Sequence, residues 1–296
     1  MSTNYESYYV PEQSKWPIIA TVGLFLLMYG LGSVLVDQTG NADTQTSWII
    51  FSVGAAIMVF MFFGWFGAVA KESMSGLYSQ QMDRSFRWGM AWFIFSEVMF
   101  FSAFFGALFY ARWLAVPWLG GAGDGAMNTL LWPEFQAAWP LMSNPNPELF
   151  PGPTETIDPW HIPLLNTVLL LISSVTLTIA HHAIKKDKRG QVIIWTAATI
   201  ILGAIFMGYQ IHEYDIAYSE LNLTMESGIY GTTFFLLTGF HGLHVTLGAL
   251  ILLVILIRYM RGHFSAKQHF GFEAASWYWH FVDVVWLCLF FFVYVI

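Results

Sequence analysis

"GIYGTTFFLLTGFHGLHVTLGALILLVILIR", residues 228 to 258, runs from a glycine to an arginine with no Asp, Glu, Lys or Arg between them. As a helix rising about 1.5 Å per residue, it is longer than a roughly 30 Å hydrocarbon layer is thick. Such a stretch calls for a surrounding as apolar as itself, and in lipid only a structure that satisfies its own backbone survives. Working outward, comparable blocks recur near 17 to 36, 48 to 70, 86 to 113, 163 to 184, 191 to 211 and 271 to 295. The chain is therefore read as all-α, a polytopic membrane protein of seven transmembrane helices forming a single membrane domain over residues 1 to 296. The blocks at 86 to 113 and 228 to 258 exceed an ordinary span and are expected to tilt or protrude.

Composition agrees. Of 296 residues, 56% are hydrophobic and 10% charged, against roughly 25% charged in soluble proteins. The net charge of −7 says little about partners, because the charges sit in the loops, and nothing points to nucleic acid. The single cysteine, Cys288, lies in an apolar block, which leaves no disulfide framework and no CxxC or CxxCH motif. The opening "MSTNYESYYVPEQSKWP" is polar and acidic where a cleaved signal would be basic, so no signal is expected.

Orientation follows the basic residues. With the N-terminus cytoplasmic, Lys15, Lys71, Arg84, Arg87, Lys185, Lys186, Lys188, Arg189, Arg258, Arg261 and Lys267 share the inner side, and only Arg112 falls outside. An odd number of spans then puts the C-terminus outside. The outer loops carry Asp37, Asp43, Asp124, Glu134, Glu148, Glu155, Asp158, Glu213, Asp215, Glu220 and Glu226, an acidic face. The long connection near 114 to 162, rich in Pro, Gly and Trp, is expected to fold over the outer surface. Trp48, Trp65, Trp88, Trp160 and Trp195 suit interfacial anchors.

Charges at membrane depth are costly, and those left inside spans are Glu97, Glu273 and Asp283, with His241, His244 and His280. Glu273 and His280 are seven apart and share a helix face; His280 and Asp283, and likewise His241 and His244, are i,i+3 neighbours. A two-haem cytochrome needs four suitably spaced histidines, and a bundle di-iron site needs Glu-x-x-His pairs; the sequence provides neither. A mononuclear metal site from His241, His244, His280 and Asp283 and a polar seam between packed helices both remain chemically open, the seam being the commoner outcome. Glu97 is open to three roles: a proton-relay acid, a structural acid, or a residue facing a polar partner. In the sixth span Gly231, Thr238, Gly242 and Ala249 fall near one face and suit close helix packing. Lys71, Arg87, Arg258, Arg261 and His263 sit near inner span ends, where lipid phosphates lie.

Four stretches, "RWGMAWFIFSEVMFFSAFF", "PLLNTVLLLISSVTLTIAHH", "GIYGTTFFLLTGFHGLHVTLGA" and "HFGFEAASWYWHFVDVVW", together resemble cytochrome c oxidase subunit III, from about residue 15 to the end. The resemblance implies a two-helix bundle (about 17–70) and a five-helix bundle (about 86–295) with a phospholipid-filled cleft between them. It implies that this chain carries no metal and no catalytic residue, that haem and copper reside in partner subunits, and that the chain packs on catalytic subunit I in a complex with subunit II. It further implies roles in stabilising the oxidase and supporting proton uptake while electrons from cytochrome c reduce oxygen to water. Glu97 matches the family's S-E-V-x-F-F glutamate, His241 and His244 its F-H-G-L-H-V, and Glu273, His280 and Asp283 its final signature. Trp65, Lys71, Glu72, Arg87, Arg258, Arg261 and His263 become lipid-binding candidates. "GLYSQQMDRSF" departs from a Gly-His-His-Thr-like run, leaving Tyr78 where a lipid-contacting histidine is expected. The long outer loop suggests a bacterial, aa3-type protein of the plasma (inner) membrane with a periplasmic C-terminus. A quinol oxidase subunit III, which tends to lack the first two helices, and an independent transporter are the alternatives; the seven spans argue against the first, and the lack of paired half-repeats against the second.

Overall fold

A computed structural model describes residues 9, 10, 12–123 and 128–296, with only the backbone of Thr129. Asp124, counted above among the outer acids, and most of the N-terminal stretch expected to lack a signal lie outside the described residues. Among the described residues, seven helices are long and apolar enough to cross a membrane, and no strand occurs. They are α1 (Trp16–Thr39), α2 (Gln45–Met74), α3 (Gln80–Tyr110), α4 (Ile162–Lys185), α5 (Arg189–Ser219), α6 (Ile229–Met260) and α7 (Phe270–Leu289). A widened π turn, Ala111–Ala115, carries α3 on into Val116–Leu119, and another, Phe290–Val295, ends α7.

Prolines just inside the starts of α1 and α4 have no amide hydrogen to leave unpaired there. The helices overrun the apolar blocks, most clearly in α5, which continues past residue 211 to Ser219. Hydropathy stops at Gln210, but the helix persists because Gln210, Glu213 and Ala217 keep the buried face at helical spacing. Glu213 and Asp215, assigned above to an outer loop, are therefore helical, and Glu213 is 1% exposed.

The chain forms two compact units, Met1–Phe86 and Arg87–Ile296. In the first, α1 and α2 pack along each other at backbone contact: a Cβ at Gly54 would lie 2.3 Å from the amide nitrogen of Leu27. Small residues permit this approach, which in lipid takes over much of the role that hydrophobic exclusion plays in water.

In the second unit α4 packs on α5 and α7, and α6 on α5 and α7. The centre is α7, where 56% of the most apolar stretch is buried, against 11% in α3. Trp279 is wholly buried and fills a slot between Gly203 of α5 and Gly248 of α6, whose added Cβ atoms would come within 2.6 and 2.9 Å of its ring. On α6 the tight approach is thus at Gly248. Gly231 instead meets the Thr224 carbonyl of its own preceding loop, and Gly242 has only ordinary contact with Met207, which corrects the small-residue face drawn from sequence.

The long connection near 114 to 162 is tied to the loop between α5 and α6. The Thr154 amide donates to the Leu221 carbonyl at 2.9 Å, and Asn144 donates to the Ser227 carbonyl at 3.2 Å. Gly228, with φ +104°, presents its bare face to the Asn144 amide, a backbone state that L side chains rarely adopt.

Candidate functional site

The polar residues buried in the second unit join helices in pairs. His244 of α6 places Nε2 2.8 Å from Oε2 of Glu97 on α3, and its Nδ1 2.6 Å from the Phe240 carbonyl. A carbonyl only accepts, so Nδ1 carries a hydrogen and Nε2 faces the carboxyl. The rings of Phe100 and Phe101 flank the imidazole at 5.8 and 5.0 Å and limit water access. Glu97 is thus held by a histidine of the same chain.

His241, one turn earlier on α6, faces elsewhere. Its Nε2 donates to the Val282 carbonyl of α7 at 3.2 Å, and its ring lies 5.1 Å from Trp286. His280 of α7 meets Ser174 Oγ of α4 at 2.7 Å. Its Nδ1 is 3.7 Å from Asp283 Oδ2, beyond hydrogen-bond length. The i,i+3 hydrogen bond suggested by the sequence is not made, because Ser174 already occupies that nitrogen. His241, His244 and His280 point to separate partners, while both Asp283 oxygens are buried without a hydrogen bond; among the described residues these four do not gather into a mononuclear site.

Glu273 is separated from them as well. It pairs with Arg87 at 2.7 Å, and Arg87 also lies over the Phe270 ring at 5.2 Å. This joins the start of α7 to α3, so Arg87 serves an ion pair within the chain. Other contacts on α7 were not anticipated. Trp279 Nε1 donates to Ser173 Oγ and Trp286 Nε1 to Thr167 Oγ1, both at 2.9 Å and both on α4. The Tyr294 hydroxyl donates to Glu213 Oε1 at 2.6 Å, and Gln210 donates to the same oxygen at 3.1 Å. Polar contacts from α3, α4, α5 and α6 therefore converge on α7.

The remaining lipid candidates divide between the units. In the first, Trp65 is 48% exposed, Lys71 is exposed in the last turn of α2, and Glu72 accepts a 2.8 Å hydrogen bond from the Tyr78 hydroxyl. Burial, reinforced by that hydrogen bond and the Glu72 charge, pushes the Tyr78 phenol upward. Tyr78 is therefore engaged with the acid beside it. In the second unit Arg258 lies over the Phe264 ring at 4.7 Å, Arg261 is exposed, and His263 is half-buried. The Arg258 Nε and His263 Nδ1 atoms are buried without a hydrogen-bond partner in the chain.

The chain matches the family described as cytochrome c oxidase subunit III over residues 6–124 and 127–296. The chain belongs to the cytochrome c oxidase subunit III family. It is 37% identical over 297 residues to cytochrome c oxidase subunit 3 of Petromyzon marinus, covering 99% of this chain and 98% of that protein. Against the subunit 3 of Arabidopsis thaliana it is 37% identical over 285 residues, covering 96% and 94%. As a subunit III of cytochrome c oxidase it is an integral membrane part of an oxidoreductase complex.

Proposed function

We propose that this chain is a non-redox subunit of the oxidase, packing on catalytic subunit I beside subunit II and stabilising the complex as it reduces oxygen with electrons from cytochrome c. The observation that carries this reading is the use made of the buried polar groups. Glu97, His241, His244 and His280 each spend a polar atom on a partner within the chain, so they build a rigid helical body. In this reading haem and copper belong to the partner subunits, and the chain supports proton uptake on the inner side without supplying a catalytic residue. It resides in a bacterial plasma membrane with its N-terminus cytoplasmic and C-terminus periplasmic, in line with the distribution of Lys and Arg.

Bound phospholipid is part of the proposal. The buried Arg258 Nε and His263 Nδ1, unpartnered within the chain, are suited to a phosphate, with Arg261 beside them. Lys71 and Trp65 suit head-group and interfacial contacts in the first unit. The test of the stabilising role is an oxidase prepared without this chain: it should start at a comparable turnover rate and lose activity faster during sustained turnover. Equal lifetimes with and without the chain would contradict the role.

A further inference from the structure

We propose that His181, His269 and Glu273 form a binding site for a divalent transition-metal ion of the zinc class, at the inner end of the second unit. One donor atom from each lies within 4.8 Å of the others. His181 is in the last turns of α4, His269 caps the start of α7, and Glu273 follows one turn later. The rings of His181 and His269 stand edge to face with centroids 5.8 Å apart.

Three further observations point toward a ligand. His181 Nε2 is buried and has no hydrogen-bond partner in the chain, although a buried imidazole nitrogen normally finds one. His269 Nδ1 lies 3.2 Å from the Ser265 carbonyl; a carbonyl fixes Nδ1 as the hydrogen-bearing nitrogen, leaving Nε2 with a free lone pair. Metal-binding histidines are commonly oriented in this way. Finally, Arg87 engages Glu273 Oε1 at 2.7 Å, which holds the carboxylate in place beside the two imidazoles.

The donor set selects the ion. Two imidazoles and one carboxylate, with water as a fourth ligand, suit tetrahedral zinc. Arg87, and Lys185 one turn beyond His181, disfavour a hard cation held by charge alone, such as calcium or magnesium, which prefers oxygen donors. Zinc ligands at about 2.0–2.1 Å stand roughly 3.3 Å apart in a tetrahedron, so donor atoms within 4.8 Å of one another must close by up to about 1.5 Å. Such closure would tie the inner end of α4 to the first turn of α7.

The test uses the purified oxidase carrying this chain, stripped with a chelator and equilibrated with zinc ions at fixed free concentration. Zinc per complex is then measured, counting only complexes that retain the chain. His181→Ala and His269→Ala should each lower zinc by one equivalent, and His182→Ala, whose Nδ1 is held by the Thr178 carbonyl, should not. Equal zinc in all four proteins would overturn the proposal. If the first two variants lose the subunit, carbethoxylation of the unaltered complex decides: zinc slowing modification of His181 and His269 supports the site, and unchanged rates overturn it.

Discussion

His244 Nε2 stands 2.8 Å from Glu97 Oε2 while its other ring nitrogen is committed to the Phe240 carbonyl. This explains how a glutamate resides among Phe100, Phe101 and Tyr278: the low-dielectric surroundings meet a paired group. Glu97→Gln keeps a donor toward Nε2 and should preserve retention of the subunit. His244→Phe strands the acid and should cost about 1–3 kcal/mol, read as a lower detergent midpoint for subunit loss. Equal midpoints in the two variants would contradict the pairing.

His280→Leu removes the contact with Ser174. Hydrogen bonds between membrane helices average about 0.6 kcal/mol, with a maximum near 1.7, so retention should fall modestly while the optical spectra of the oxidase haems stay unchanged. A spectral change would mean that His280 acts on the metal centres.

Trp279 should matter more than any single hydrogen bond. It is wholly buried between Gly203 and Gly248, and Trp279→Ala should cost about 3–5 kcal/mol through the cavity left behind. Gly203→Val should be comparably disruptive, because its first added carbon would stand 2.6 Å from the Trp279 ring. Thermal midpoints of the complex check both.

Much of this was legible in the sequence. Seven apolar blocks announce seven helices, and the cost of burying charge singles out Glu97, His241 and His244 without any structure. What sequence could not supply was partnership across long separations: Ser174 with His280, Arg87 with Glu273, Tyr294 with Glu213. Serine is common in membrane helices and carries little signal until a neighbour faces it. Glu213 was misplaced because hydropathy falls at Gln210, whereas a helix ends only where its backbone and packing end. His181 and His269 were passed over because each sits at a helix end; the His-x-x-x-Glu spacing of His269 and Glu273 was the available clue.

Tyr78 gives a pH dependence. Its phenol is raised in the folded chain by burial, then by Glu72, so folding favours the neutral form. The stabilising contribution is fully present below the ordinary tyrosine value near 10 and fades as pH rises above it, through the raised value of the folded chain. Tyrosinate absorbance of the unaltered protein minus Tyr78→Phe should show a group ionising well above ordinary tyrosines. A difference titration centred near 10 would contradict this.

On the orientation proposed above, the exposed acids Glu148, Glu155 and Asp158 would meet a basic cytochrome c. Neutralising them should flatten the ionic-strength dependence of cytochrome c oxidation, with Asp158 contributing least because it already holds the Trp160 amide at 2.9 Å and His161 at 3.2 Å. An unchanged salt slope would move the docking surface to another subunit.

The most direct test of the central claim is to tag this chain, extract it gently from its membrane, and measure the optical spectrum and the iron and copper that accompany it, before and after partners are stripped away. The account predicts that haem and copper co-purify and then depart with the larger subunits, leaving this chain free of both. Haem or copper remaining on the isolated chain would contradict it.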